Sequence, residues 1–214
     1  MGYILYMPLK FLVRNLSENS YYHIYDKGVE GKNVFLDRQD YETFLYYLYI
    51  YTANPAEIKS KYPKLPSRLM AKNLSGDISL MAYSLMPNHF HLLLKQKSRD
   101  TMPKLLKQVI NGYVTYFNKK YKRSGAIFRG RYKSVRVESE YLLLQMVRFV
   151  HINPSIHGLA SNLKDYPWSS YINNALTGKI INRFENVEDW EKFHMDQDSY
   201  QQNFSKIKHL TIED

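Results

Sequence analysis

Cysteine is absent from this 214-residue chain, which excludes disulfides and every metal site built on thiolate, and fits a reducing cytoplasm. Long apolar runs are also missing. No segment approaches the ~18 consecutive apolar residues of a membrane-spanning helix, and the start, Met1 to Leu16, has Pro8 in its middle and no basic stretch leading into an apolar one. The chain therefore reads as soluble and unprocessed, with no membrane partner. Acidic residues are missing from one long stretch. Between Thr101 and Val137 there are ten Lys or Arg and no Asp or Glu. A segment with that balance repels cations and has little to oppose an anionic partner.

The charge that is present is unevenly placed. The net charge is +10; residues 175–214 carry −3 and the preceding residues +13. This divides the chain into a main domain, 1–174, and an acidic C-terminal tail, 175–214. The length allows one ordinary core. Within the basic stretch, Tyr113, Tyr116, Phe117, Tyr121, Phe128 and Tyr132 alternate with the cations. Cations that neutralise phosphates, interleaved with rings that stack on bases, suit single-stranded nucleic acid. A solvated basic face over an aromatic core is the other reading of the same residues.

Tyr21 to Asp26 reads as a first strand, and Asp40 to Tyr51 as an aromatic-rich helix capped by Asp37 or Asp40. Asn54 to Gly76 carries Pro55, Pro63 and Pro66 among lysines, which predicts a loop or a basic excursion from the fold. Asp77 to Leu85 and His89 to Gln96 flank Met86-Pro87-Asn88 as a β-hairpin. Met102 to Tyr121 has Leu105, Leu106, Val109, Val114 and Phe117 at helical spacing. Tyr132 to Val137 alternates as a strand, and a last helix from about Glu138 ends at Asn153-Pro154, because proline disfavours the helical region for its predecessor. The order βαββαβ predicts an α+β, ferredoxin-like antiparallel sheet with helices on one face and an additional C-terminal helix.

His89-Phe90-His91 is the chemical centre. Residues two apart on a strand share a face, so both imidazoles can approach one ion while Phe90 packs into the opposite side. Read alone, such a pair is more often two solvent-facing histidines. Two imidazoles are half a site; Mg²⁺ or Mn²⁺ needs further oxygen ligands.

The surroundings of the pair carry more. Ser84-Leu85-Met86-Pro87-Asn88-His89-Phe90-His91-Leu92-Leu93-Leu94 resembles the metal-binding hairpin of the IS200/IS605-like (HUH, Y1) transposases, in particular their REP-associated tyrosine transposase branch. Tyr22 to Gly28, Ser124 to Lys133, His151-Ile152-Asn153-Pro154, His157-Gly158-Leu159 and Asp165 to Tyr171 are similar to further segments of that branch, in its order. The likeness spans roughly residues 20–171; it does not cover residues 54–76 or 175–214.

The resemblance implies a metal-dependent enzyme that nicks and rejoins single-stranded DNA near hairpin repeats, as a homodimer. A helix supplies a tyrosine that attacks the phosphate, leaving a 5′-phosphotyrosyl link, and a polar residue four positions later joins the histidine pair at Mg²⁺ or Mn²⁺. Carried over, the metal ligands are His89, His91 and Asn153. The nucleophile's position is Phe149. A phenyl ring cannot attack a phosphate, since it offers no ionisable oxygen. Three readings fit: a tyrosine exchanged for phenylalanine to hold an uncleaved complex, a relative that binds structured DNA repeats without cutting, or attack by Tyr141, Tyr132 or Tyr116. Arg129, Arg131 and Lys133 alternate on the expected strand and, with Lys119, Lys120 and Arg123, are the expected DNA contacts, though a basic strand edge that prevents aggregation would look the same. His23 reads as a hydrogen-bonded structural histidine, His151 as facing away from the site, and Trp168 as a packing anchor.

Overall fold

The structure is a computed structural model and describes residues 16–172, 192–194 and 196. The first 15 residues and most of the acidic tail lie outside the described residues. Among the described residues, four strands make one sheet: β1 (Ser20–Lys27), β2 (Ile78–Met86), β3 (His89–Gln96) and β4 (Lys133–Val137), in the order β2-β3-β1-β4. Every pairing is antiparallel. The long helices are α1 (Arg38–Thr52), α4 (Thr101–Lys120) and α5 (Glu140–Ile156), with two short ones, α2 (Pro55–Lys61) and α3 (Ser67–Met70), between α1 and β2. This is the predicted ferredoxin-like arrangement, with the helical pair on one face and the added helix on the other.

Strand alternation explains the two faces. Tyr22 and Ile24 of β1, Leu85 of β2 and Phe90, Leu92 and Leu94 of β3 point to one side, where they pack with Phe44 and Leu48 of α1 and Leu105, Val109 and Tyr113 of α4. Ala82, Leu93, Val135 and Val137 point to the other side and pack with Met146, Val147, Phe149 and Val150 of α5. The sheet is thus buried on both faces.

Local chemistry fixes the ends of α1. Asp37 accepts a hydrogen bond from the Asp40 backbone, and Asp40 answers with its own carboxylate, a reciprocal cap that satisfies orphan donors of the first turn. Asp40 is fully buried, and Tyr116, Lys120 and Tyr121 donate to it. Lys120 also bonds both Asp37 oxygens at 2.7 Å. The end of α4 is therefore tied to the start of α1. Gly112 lets the two helices approach, because a Cβ there would meet the Tyr47 ring at 2.9 Å.

Residues 54–76, expected as a loop or excursion, contain α2 and α3. Asn54 caps α2 by accepting from the Ala56 backbone, and Pro55 occupies the first turn, where its missing N–H costs nothing. Pro55 and Pro66 stand at helix starts instead of interrupting helices, and Pro63 lies in the turn between them. Beyond α5 the chain returns along β2: Leu85 donates its N–H to the Trp168 carbonyl at 2.9 Å, and Tyr166 donates its hydroxyl to the Leu85 carbonyl at 2.7 Å. Trp168 stacks on Tyr41 with ring centres 4.5 Å apart, the packing anchor expected of it. That return covers part of an exposed sheet edge. No described helix is long and apolar enough to cross a membrane.

Candidate metal and DNA site

The turn Pro87-Asn88 sets β3 in register. Val34 and Phe35 both donate their N–H to the Pro87 carbonyl, and Gly28 donates to the Asn88 carbonyl. From this pinned turn, His89 and His91 project onto the α5 face, with ring centres 5.2 Å apart, while Phe90 enters the opposite core against Phe44 and Phe128. Each imidazole is oriented through Nδ1. His91 Nδ1 lies 2.8 Å from His23 Nε2, and His89 Nδ1 lies 2.6 Å from Asn88 Oδ1. When both Nδ1 atoms carry the proton, each Nε2 presents a lone pair, the arrangement that outer hydrogen bonds impose on metal-binding histidines.

Burial keeps these rings neutral. The His89 pKa is pushed down to about 4, first by desolvation and then by the neighbouring His157, while the Asn153 carboxamide acts in the opposite direction. His91 is held well below the ordinary histidine value, by desolvation and then by His23 and His89. A neutral imidazole is the form that binds a metal.

Helix α5 supplies the facing groups. Ser139 caps it by accepting from the Leu142 backbone. The helix does not stop at Asn153, as expected, but runs through Pro154 to Ile156. Proline's bias on its predecessor is a preference, and near a C-terminus the missing N–H removes only one helical bond; the His157 N–H still reaches the Asn153 carbonyl at 3.1 Å. Asn153 therefore sits within a regular turn. Phe149, Asn153 and His157 follow at four-residue intervals and share a stripe.

That stripe meets the histidines. Phe149 is fully buried, with its ring edge-on to His91 (5.4 Å) and His23 (5.8 Å). Asn153 is also fully buried beside His89, yet neither its Oδ1 nor its Nδ2 has a hydrogen-bond partner of ordinary geometry. An unmet buried amide costs about 1–3 kcal/mol. Its oxygen and the two Nε2 atoms are a donor set that suits a divalent ion. No three His, Cys, Asp or Glu side chains among the described residues converge to hold an ion, so such a site depends on Asn153.

The other expected residues separate into two groups. Lys133, the first residue of β4, pairs with Tyr25 and places its Nζ 5.9 Å from that ring, on the histidine face. Arg129 and Arg131 precede the strand and do not alternate along it; Phe128 is buried and bridges to Gly28, and Gly130 takes a φ of +128°. The Arg129 N–H bonds the Lys27 carbonyl at 2.8 Å, which brings this basic loop to the histidine end of the sheet. Lys119, Lys120 and Arg123 belong to α4 and the turn after it, on the other face of the sheet. Lys120 serves the Asp37–Asp40 network, and Arg123 donates to the Ala126 carbonyl at 3.0 Å, whereas Lys119 is exposed.

Sequence reasoning missed three neighbours of the pair. Tyr25 has its ring 4.9 Å from His91 and 5.6 Å from His89. Lys27 is the direct partner of His89 across β1 and β3. His157 stands 5.0 Å from the His89 ring. Only His157 left a readable trace, its spacing of four from Asn153. His151 points away, bonding Ser170 Oγ at 2.8 Å and His194 Nε2 at 3.1 Å.

A ferredoxin-like sheet with a His-x-His pair on a central strand, faced by an added helix, defines the class. Residues 56–152 match the family model described as "Transposase IS200 like", a range that includes His89, His91 and Phe149 and stops just before Asn153. Over that range, a little under half of its length, the chain is similar to the IS200-like transposases. A solved structure described as "Structure of the REP associates tyrosine transposase bound to a REP hairpin" is similar over 78% of this chain and 85% of its own, with 13% identity and a TM-score of 0.53, a likeness of fold. A second, described as a putative transposase from Deinococcus radiodurans R1, is 14% identical over 70% of this chain and 98% of its own, with a TM-score of 0.37. No curated protein matches the chain.

Proposed function

We propose that this protein binds single-stranded, hairpin-bearing DNA on the α5 face of its sheet, with Mg²⁺ or Mn²⁺ held by His89, His91 and Asn153, and that it does not cut the strand. The observation that carries this reading is the meeting of a buried Asn153 amide, which has no hydrogen bond of ordinary geometry, with two histidines oriented through Nδ1, while Phe149 packs edge-on against His91. The match of residues 56–152 to a transposase family model and the fold shared with a hairpin-bound transposase support DNA as the partner. The dimer implied by the family resemblance belongs to the same proposal.

When bound, the ion supplies Lewis acidity to a non-bridging phosphate oxygen. His23 and Asn88 keep the two imidazoles in the tautomer that leaves Nε2 open. Phe149 excludes water from the inner side of the pocket. Strand cleavage would require a phenol oxygen to bond to phosphorus while the P–O3′ bond breaks and the phenol proton passes to O3′. Phe149 has no such oxygen, so the strand stays intact.

A second reading is favoured by Tyr25, whose ring touches both histidines. On that reading Tyr25 attacks in place of residue 149. Labelled hairpin-flanked single strands, incubated with Mn²⁺ and run on a native gel for binding and a denaturing gel for covalent adducts, separate the two. The proposal expects DNA binding without a covalent adduct, and an adduct in Phe149→Tyr. An adduct formed by the unsubstituted protein and lost in Tyr25→Phe establishes the second reading. Absence of DNA binding overturns both.

A further inference from the structure

We propose that Lys27 and His157 form a phosphate-holding rim around His89, one from the end of β1 and one from the end of α5, and take the non-bridging oxygens of the DNA phosphate that faces the ion. The inference rests on the proposed function and extends it from the ion to the strand.

The pocket has a closed side and an open side. Behind His91 lie His23 and Phe149, both fully buried. On the side of His89, the neighbours are Lys27, which is half-buried, and His157, which is exposed. Directly paired residues on adjacent strands share a face, so the register Lys27↔His89 puts the lysine beside the imidazole. The two are close enough for the Lys27 charge to help depress the His89 pKa. His157 continues the Phe149–Asn153 stripe and presents its ring 5.0 Å from His89, tilted by 71°. A phosphate that reaches His89 from solvent passes between these two side chains.

Electrostatics make such a rim necessary. The end of α5 that meets the pocket is its C-terminus, where unpaired carbonyls carry partial negative charge and disfavour an anion. Three of these carbonyls are already occupied, Asn153 by the His157 N–H, Pro154 by the Leu159 N–H and Ser155 by the Gly158 N–H. A lysine and imidazole N–H donors provide the remaining attraction. The role differs from metal binding, since His157 does not converge with His89 and His91 into a three-residue metal cluster. The Arg129 backbone bonded to Lys27 carries the basic loop onward from the same rim, along the path a DNA backbone would take.

The test compares the full-length protein with Lys27→Met, Lys27→Arg, His157→Ala and the double variant Lys27→Met/His157→Ala. Mn²⁺ affinity is measured by calorimetry and hairpin-flanked single-strand affinity by fluorescence anisotropy in Mn²⁺, with a normal or a methylphosphonate linkage at the phosphate next to the hairpin. The inference expects Mn²⁺ affinity within about twofold of the unsubstituted protein throughout, and DNA affinity about tenfold weaker in each single loss variant. Lys27→Arg retains most of the affinity, and Lys27→Met lowers the salt slope by about one. The neutral linkage weakens binding to the unsubstituted protein but adds no further loss in the double variant. A tenfold fall in Mn²⁺ affinity in His157→Ala makes that residue a metal ligand and overturns the inference. Unchanged DNA affinity in both single variants overturns it alone, leaving the proposed function standing. If the unsubstituted protein does not bind the strand, both fall.

Discussion

The two faces of the sheet are built from the same strands and do opposite things. On the α1–α4 face, β3 contributes Phe90, Leu92 and Leu94 to an aromatic and aliphatic core. On the α5 face, the alternate residues are His89, His91 and Leu93, and fully buried His23 and Asn153 lie among valines and Phe149. The first face gains stability from burial. The second accepts the cost of desolvating imidazoles and an unmet amide, a pattern typical of a site that a ligand completes. One strand can serve both because its side chains alternate.

The comparison breaks most sharply at the first face. Phe90→Ala should destabilise the fold by about 3–5 kcal/mol in urea titration, as expected for an aromatic removed from a close-packed core. His91→Ala should cost about 1–3 kcal/mol, chiefly by removing a buried ring and its hydrogen bond with His23, and should abolish specific Mn²⁺ binding. Equal stability losses with Mn²⁺ binding retained in His91→Ala would erase the distinction between the faces.

Acid sharpens it. Unfolded histidine takes up a proton near pH 6.5, whereas folded His89 does so only near pH 4, so its contribution to stability is lost as the pH falls through that window. At pH 5 the loss from His89 is about 2 kcal/mol relative to pH 7. His91 and His151 act in the same direction. Asp26 acts oppositely: burial raises its pKa to about 6, against the ordinary 3.8, so acidification of the folded carboxylate returns about 1 kcal/mol at pH 5. The histidines outnumber it, and urea midpoints should fall from pH 7 to pH 5.

Lys120 belongs to the first face's scaffold. Lys120→Met should lower stability by about 1–3 kcal/mol, because buried Asp40 loses a charged donor, with DNA affinity unchanged in anisotropy. A selective loss of DNA affinity would restore it as a phosphate contact. The smallest effect concerns Asp26, whose Oδ2 is buried without a hydrogen bond. Asp26→Asn should raise stability at pH 7 by about 1–2 kcal/mol, since the neutral amide avoids the desolvation that raises the carboxylate's pKa.

The legible features were those governed by local rules. The Asp37 cap, the hairpin around Pro87-Asn88, the same-face placement of His89 and His91 and the long α4 all follow from spacing and turn chemistry. What stayed hidden depends on pairing across the sequence. Nothing near His23 says that β1 lies beside β3 in a register that bonds it to His91, and nothing near Lys27 reveals its position opposite His89. Pro154 gave a misleading local signal because the turn that contains it tolerates one missing bond. Arg129 and Arg131 resembled strand residues by alternation, but the burial of Phe128 fixes the loop before pairing begins at Lys133.

The α5 face as an ion site, built on two imidazoles and one amide, is the central claim, and pulsed EPR of Mn²⁺ bound to the full-length protein tests it most directly. The prediction is nitrogen coupling from two imidazoles, with no specifically bound Mn²⁺ left in His91→Ala and Mn²⁺ affinity falling about tenfold in Asn153→Ala. Mn²⁺ bound without imidazole coupling, or bound equally well by Asn153→Ala, would contradict it.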